Sequence, residues 1–333
     1  MDREPEELQF LGLFGIYKES INIIFSWRKI FNKITLVLIL PLTFIFLAHI
    51  QISDLIFSKI IQNQEALDFT RSGTASYNSL TDRISKEWIA FWLFKAIYLF
   101  FLLIFSLLST SAVVYTIASI YTAKDLTFKK VMTVVPKVWK RLMVTFLWSF
   151  IIVFLYNFIA AIFFVLVIIS VGGTAAGTFI LIALLLIYFS GVVYISVLWH
   201  LASVISVLED FKGIKAMMKS KALIKGKMWI ACAIFVKLII ALILIQYGFE
   251  RLVVVGDRFG GIGIRVFYAF VCFLLLMQLF MFGLVVQTVF YFVCKSYHHE
   301  NIDRSMLADH LEVYAGEYIP LNGKNIQLEQ YDI

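Results

Sequence analysis

The chain has 333 residues, of which 61% are hydrophobic and only 15% are charged, a balance far from that of a soluble globular domain. We therefore expect an all-α, polytopic membrane protein. A net charge of +7 would suggest nucleic-acid binding in a soluble protein. Here the placement of the charges explains them better as a membrane-threading signal, so we expect no nucleic-acid partner.

Six long apolar stretches divide the chain, and each has about the 20 residues that a helix needs to cross a hydrocarbon core of about 30 Å. They run over Ile30–Ile50, Trp88–Tyr121, Leu142–Ser170, Thr178–Leu208, Met228–Phe249 and Ile264–Cys294. None of the 22 acidic residues lies within them, so the predicted membrane interior offers no carboxylate to a metal ion or a proton relay. We therefore expect no catalytic residue, no metal and no cofactor.

Three segments combine basic and apolar residues and lead directly into a stretch that is predicted to run outward. They cover residues 14–33, 126–142 and 211–229. Their pattern predicts amphipathic helices lying along the cytosolic interface, and a solvated loop rich in lysine is the alternative. In the third segment we expect contacts to anionic headgroups from Lys215, Lys219, Lys221 and Lys225.

The distribution of Lys and Arg predicts how the chain is threaded. Of 29 such residues, 20 lie in the two terminal segments and in 122–141 and 208–227, whereas seven lie in the opposite-side segments 51–87, 171–177 and 250–265. By the positive-inside rule, this asymmetry predicts that both termini are cytosolic. We expect an endoplasmic-reticulum or other endomembrane protein rather than a plasma-membrane protein. The expected partners are membrane lipids, especially anionic headgroups on the cytosolic side, and proteins.

The chain is expected to form one membrane domain over 1–297, followed by a cytosolic tail over 298–333. Within the domain we distinguish three units, each with an interfacial helix, an outgoing span and a returning span. They cover 8–123, 124–208 and 209–297. The pair Ala118-Ser119 with Asp125 is matched 84 residues later by Ala202-Ser203 with Glu209, which supports the division. Parallel repeats of this kind pack about an axis along the membrane normal.

One segment carries a resemblance to a known membrane domain. It reads Leu208-Glu209-Asp210-x-x-Gly213-x-x-Ala216-x-x-x-Ser220-x-x-Leu223-x-x-Gly226-x-x-Trp229. This stretch resembles the interfacial signature of the multi-pass domain attached to some bacterial glycerophosphodiester phosphodiesterases. The resemblance implies the helical architecture alone, because the catalytic barrel of those enzymes needs about 250 soluble residues.

A second resemblance extends over nearly the whole chain. From Glu6-Glu7-Leu8-Gln9-Phe10-Leu11 to Glu317-Tyr318-Ile319-Pro320-Leu321, the sequence is similar to a family of uncharacterised plant multi-pass membrane proteins. This resemblance implies a multi-pass membrane protein and brings no activity with it.

Polar side chains within the apolar stretches are the candidates for a binding site, because each is costly in a membrane. We single out Lys237, Gln278 and Asn157 as ligand-binding candidates. Lys237 lies about 12 Å into its span, where it would bind an anionic headgroup or substrate in a polar cavity. The alternative for Lys237 is snorkelling to the cytosolic surface. The alternative for Asn157 and Gln278, as for Gln246 and Gln287, is a hydrogen bond between helices.

The remaining motifs predict packing or sorting. His49 and His200 have no ligand partner at helical spacing, so we expect both to pack in the core or at an interface. The run Gly172–Gly177 predicts a tight hairpin on the outer side. The tail sequence Tyr318–Leu321 fits a tyrosine-based sorting signal.

Three hypotheses follow for function. The favoured one is a non-catalytic scaffold of an endomembrane that binds lipids or protein partners. The second is a transporter or channel for a small apolar or anionic compound, and the third is a membrane-embedded enzyme acting on a lipid-like substrate. A dry, sealed core would favour the first, a polar cavity that includes Lys237 the second, and Tyr or His side chains converging on a closed pocket the third.

Overall fold

The computed structural model describes residues 5–122, 127–171, 174–256 and 261–299, and within these ranges it is helical without strands. The α-helices are α1 Leu13–Ser26, α2 Arg28–Ile34, α3 Leu40–Asp68, α4 Ala75–Tyr121, α5 Phe128–Val171, α6 Ala175–Leu208, α7 Ile214–Ile224, α8 Met228–Phe249 and α9 Ile262–Tyr297. A 3₁₀-helix covers Pro5–Phe10, and π-helical turns at Thr35–Ile39 and Glu250–Val254 follow α2 and α8. In this described part, six helical segments are long and apolar enough to cross a membrane. The prediction of an all-α, polytopic membrane protein is confirmed.

Several of these helices are much longer than a membrane is thick. Helix α4 has 47 residues, which corresponds to about 70 Å at 1.5 Å per residue. Segment 51–87, which lies between two predicted spans, is helical almost throughout and joins α3 to α4 as a hairpin. The Asn63 side-chain nitrogen donates to both carboxylate oxygens of Glu87 at 2.8 Å, so the two helices stay paired well beyond the apolar stretches.

The prediction of three separate amphipathic helices is wrong for segment 126–142. Helix α5 begins at Phe128 and continues through Pro136 to Val171 without a break. The reason is a buried stripe at helical spacing, formed by Val131, Val134 and Val138, which packs into the protein core and keeps the segment in line with its span. Helix α7 is separate from its span, as predicted for segment 211–229. In the first segment only α1 is separate, because residues 28–33 belong to α2, which continues through the π-helical turn into α3.

The helices pack closely at one end of the bundle. We call this the basal end and define it by Tyr121, Leu208 and Tyr297, where α4, α6 and α9 finish. The last turns of these helices supply fully buried side chains, together with the first turns of α5 and the apolar faces of α1 and α7. The core is therefore assembled from segments that lie far apart in sequence.

The opposite, distal end is made of three hairpins, α3–α4, α5–α6 and α8–α9, whose partner helices contact each other along their length. Large apolar side chains of α5 and α6 stay exposed there, among them Phe154, Ile169, Phe179 and Leu186. Such a band is typical of a lipid-facing surface.

Some sequence predictions lie outside the described residues. They include Asp125, which belongs to the predicted repeat, Gly172 and Gly173 of the predicted outer hairpin, and the sorting motif Tyr318–Leu321. The tail beyond residue 299 is likewise outside the described part. The division into three units stays a prediction.

Candidate binding cavity

A cavity of about 400 Å³ lies between the three hairpins, and six helices contribute to its wall. Its lining is almost entirely apolar and includes Phe46 of α3, Leu103 of α4, Phe146 of α5, Phe235 of α8 and Phe280 of α9. Among the described residues that line it, none is charged. Cavities of about 300–1,000 Å³ with an apolar wall and a few polar groups are typical of small-molecule sites.

The polar groups of the wall converge where α6 meets α9. Nδ1 of His200 lies 3.2 Å from Oε1 of Gln287. The amide nitrogen of Gln287 donates to the backbone oxygen of His200 and to the hydroxyl of Ser203, the latter at 2.7 Å. The Ser203 hydroxyl in turn donates to the His200 carbonyl at 2.6 Å. We call His200, Ser203 and Gln287 the polar cluster.

A second polar patch of the wall belongs to α4. Thr110 donates its hydroxyl to the backbone oxygen of Ser106 at 2.9 Å, one turn earlier. Both residues line the cavity. The two patches are hydrogen-bonding groups on an otherwise apolar wall, so the cavity suits an apolar molecule with few polar atoms.

The polar cluster does not have the geometry of a catalytic pair. Nucleophilic catalysis by serine needs the hydroxyl within hydrogen-bond reach of a base. Here the Ser203 hydroxyl donates to a backbone carbonyl, and the imidazole of His200 faces Gln287 instead. Within the described residues, no group of three His, Cys, Asp or Glu side chains lies close enough to hold a metal ion.

The three candidate residues chosen from the sequence lie away from the cavity. Lys237 is exposed, and its ammonium nitrogen lies 5.7 Å and 5.8 Å from the ring centroids of Phe14 and Tyr17 on α1. The Lys237 ammonium therefore makes cation–π contacts with α1. Snorkelling of Lys237 to the cytosolic surface stays a prediction. Gln278 is exposed on α9 and is outside the cavity wall, although its neighbours Leu279 and Phe280 line it.

Asn157 joins α5 to α6. Its side-chain oxygen accepts a hydrogen bond from the Tyr188 hydroxyl at 2.7 Å. One residue earlier, the Tyr156 hydroxyl donates to the Tyr188 carbonyl at 3.0 Å, and the two tyrosine rings stack at 5.8 Å. The alternative role, a hydrogen bond between helices, is therefore confirmed for Asn157, and Gln287 also bonds across helices.

The other histidine within a span, His49, is packed as expected and also makes a polar contact that the sequence did not predict. Its ring stacks on Tyr98 with the centroids 3.6 Å apart, and Nε2 lies 2.7 Å from the ammonium nitrogen of Lys95. The Lys95 ammonium can only donate, so His49 Nε2 is the acceptor. This pair ties α3 to α4 and lies outside the cavity wall.

An ion-pair network closes the basal end. Glu209, the residue that follows α6, accepts hydrogen bonds from the Tyr291 hydroxyl at 2.5 Å and from Lys295 at 3.1 Å. The Glu209 and Lys295 side chains are only 13% and 19% exposed. Arg141 bonds the Glu209 carbonyl and the Asp210 carboxylate, both at 3.1 Å. The network joins α5, α6 and α9.

Comparison with known proteins assigns a family over nearly the whole chain. The family model described as a domain of unknown function, DUF8558, matches residues 1–331. The chain belongs to the DUF8558 family. No curated protein and no solved structure matches. The DUF8558 match extends over all six candidate spans, the cavity and the basal network.

Within this DUF8558 chain, segment 208–229 contains the residues that anchor α7 to α5 and α6. Gly213 has φ +62°, a value that favours glycine, and its amide donates to Thr145 of α5 at 2.8 Å. Ala216 is fully buried, and the buried Ser220 hydroxyl donates to the Leu198 carbonyl of α6 at 2.8 Å. Gly226 has φ +94° and lies in the turn between α7 and α8. These positions are explained by packing.

The apolar face of α7 therefore points into the protein instead of into lipid. Ala216, Met217 and Leu223 are buried against neighbouring helices, whereas Met218 is exposed. The physical reason is the sharp turn at Gly213, which sets the rotation of the helix. The predicted headgroup contacts Lys215, Lys221 and Lys225 are exposed, and Lys219 is half-buried.

Sequence reasoning missed the residues that form the polar cluster. His200 and Ser203 are three residues apart and so share one face of α6, a signal that was available in the sequence. Their partner Gln287 lies 87 residues beyond His200. Only the packing of α6 on α9 brings these residues together.

Proposed function

We propose that this protein is a non-catalytic membrane protein that binds a membrane lipid in its central cavity. The observation that supports this function is the cavity itself, which is apolar, of ligand size and lined by all three hairpins. The polar cluster would orient the bound molecule, and the apolar wall would hold its hydrocarbon part. This is the lipid-binding form of the scaffold hypothesis.

We further propose that the basal end faces the cytosol, where the exposed lysines of α7 contact anionic headgroups. The excess of Lys and Arg in the basal segments supports this orientation. Trp229, at the start of α8, is 89% exposed, as expected of an aromatic residue at a membrane–water interface. Endoplasmic reticulum or another endomembrane remains the proposed location.

The orientation predicts that tags at residues 1 and 333 are both digested by protease added to sealed microsomes. The same protease should reach both tags at equal rates before and after detergent treatment. Protection of either tag until detergent is added would contradict a cytosolic basal end.

A carrier for a small apolar compound is the second candidate. This function is favoured because six helices line one central cavity. They are α3, α4, α5, α6, α8 and α9. The uncharged wall of the described residues gives no support to an anionic substrate.

Filling the cavity should displace its lipid. An ideal Cβ built on Gly283, which lines the cavity, meets Leu238 side-chain carbons at 3.7 Å and 3.9 Å, ordinary contact distances. We expect Gly283→Leu to fold but to weaken lipid binding about 5- to 150-fold, since forcing methylenes into an occupied site costs about 1–3 kcal/mol. Native mass spectrometry of the purified protein would measure the bound lipid.

Gly248→Leu is the matched control, because a Cβ at Gly248 meets nothing within 4 Å and the residue lies outside the cavity wall. This variant should keep the wild-type amount of lipid. Equal lipid in both variants, each with wild-type helicity, would count against the cavity as the binding site.

A further inference from the structure

The hydrogen bonds of the polar cluster determine which atoms carry protons. The amide group of Gln287 has one orientation, because its nitrogen must be the atom that faces the His200 carbonyl, which only accepts. Its oxygen then faces Nδ1 of His200 at 3.2 Å. An amide oxygen only accepts, so Nδ1 carries the proton and donates it.

The other ring nitrogen of His200 is left for a ligand. Within the described part of the chain, no hydrogen bond or ion pair involves Nε2, and this nitrogen is not fully enclosed by protein atoms. The residue lines the cavity. An imidazolium would need a counter-charge, and the described wall supplies none. The ring is therefore neutral, and Nε2 presents a lone pair that can only accept.

We propose that Nε2 of His200 accepts a hydrogen bond from the hydroxyl group of a neutral lipid. The occupant of the cavity is then a lipid alcohol, meaning an apolar body with a free hydroxyl and no charge. Diacylglycerols and sterols share this chemistry. Fatty acids and phospholipids are disfavoured, because their anionic groups would face an acceptor and an uncharged wall. The inference rests on the proposed lipid-binding function and names the ligand class of the same site.

The position of the polar cluster along the membrane normal agrees with such a ligand. His200 lies eight residues before the basal end of α6 at Leu208, which is about 12 Å along the axis. Along α8, the cavity extends to Leu242, 14 residues past Met228, or about 21 Å. The hydroxyl would therefore lie toward the basal side and the apolar body toward the membrane centre. The Ser106 hydroxyl can donate or accept, so it does not discriminate between ligands.

The test compares each alcohol with its methyl ether, which has nearly the same shape but no proton to donate. The probes are dioleoylglycerol, cholesterol and the methyl ether of each, added to the full-length protein in nanodiscs with native mass spectrometry as the readout. We expect at least one alcohol to bind about three- to tenfold more tightly than its ether, the effect of one net hydrogen bond. The two pairs distinguish a glyceride from a sterol.

Two variants assign the effect to His200. His200→Phe keeps an aromatic ring but has no acceptor, so the preference for alcohol over ether should disappear. His49→Phe changes the other span histidine, which lies outside the cavity, and should leave the preference intact. If His200→Phe fails to fold, the alcohol-to-ether ratio of the wild-type protein still decides the question.

The possible results separate the inference from the function on which it rests. Equal binding of alcohol and ether would overturn the lipid-alcohol assignment and leave lipid binding intact. Tighter binding of oleic acid or phosphatidic acid than of either alcohol would also overturn it. Binding of none of these probes, with no lipid retained on purification, would overturn the proposed function itself.

Discussion

Replacement of Glu209 by alanine should destabilise the protein by about 3–5 kcal/mol, the usual cost of removing one partner of a buried ion pair. The Glu209 carboxylate is 3.1 Å from Lys295 and 2.5 Å from the Tyr291 hydroxyl. The variant leaves the Lys295 ammonium, only 19% exposed, without its counter-charge in a closed site. Unfolding in mixed micelles, followed by far-ultraviolet circular dichroism, would measure the loss.

Asp210→Ala is the matched control, because Asp210 is the next residue and also forms an ion pair, with Arg141 at 3.1 Å. Its side chain is 84% exposed, so solvent screens the pair and the loss should stay below about 1 kcal/mol. The double variant Glu209→Leu, Lys295→Met removes both charges and should recover most of the stability. Similar losses for Glu209→Ala and Asp210→Ala would show that burial of the pair is not the cause.

Gly213→Ala should cost about 3 kcal/mol, because two effects act together. The backbone at Gly213 has φ +62° and ψ −133°, a region that residues with a Cβ avoid at a cost of about 1–3 kcal/mol. An ideal Cβ there would also lie 2.7 Å from Cδ1 of Trp148, so the indole must shift. The same unfolding measurement applies, and loss of α7 docking should accompany the destabilisation.

Variants at two other glycines separate the cost of backbone strain at Gly213 from the cost of steric crowding by Trp148. Gly73 has φ +82° with no atom within 4 Å of a built Cβ, so Gly73→Ala should cost only the backbone strain, about 1–2 kcal/mol. Gly12 has φ −83° and equally open surroundings, so Gly12→Ala should stay within about 0.5 kcal/mol of the wild type. If Gly213→Ala were no worse than Gly73→Ala, contact with Trp148 would not constrain the turn.

The spans could be predicted from the sequence because length and hydropathy are local properties. Helix ends could not be predicted equally well. Val131 and Val138 form part of a stripe that looks amphipathic in isolation, but it packs against protein and continues the span. The same limit applies to Met217, whose burial depends on the turn at Gly213. A periodic pattern shows that a face is apolar without showing what covers it.

The cavity was harder to predict than the spans, because the polar residues that the sequence singles out for ligand binding lie outside its wall. Lys237 is a cation inside an apolar stretch, but its side chain is exposed and its ammonium lies near the aromatic rings of Phe14 and Tyr17 on α1. The residues that do line the cavity, His200 and Gln287, are uncharged and meet across two helices. Which of the glutamines within the spans contacts a histidine depends on how the helices are aligned. This alignment cannot be read from a single sequence.

The basal network also sets the order in which the protein can be completed during synthesis. Glu209 leaves the ribosome 86 residues before Lys295, and at about 5–20 residues per second this interval lasts roughly 4–17 s. The amide of Gln287 and the Lys227 contact with the Gln9 carbonyl likewise join segments made far apart in time. The basal surfaces of the first two hairpins therefore stay uncovered until α9 has been synthesised. Synthesis of α9 is the step that completes the basal contacts of the bundle.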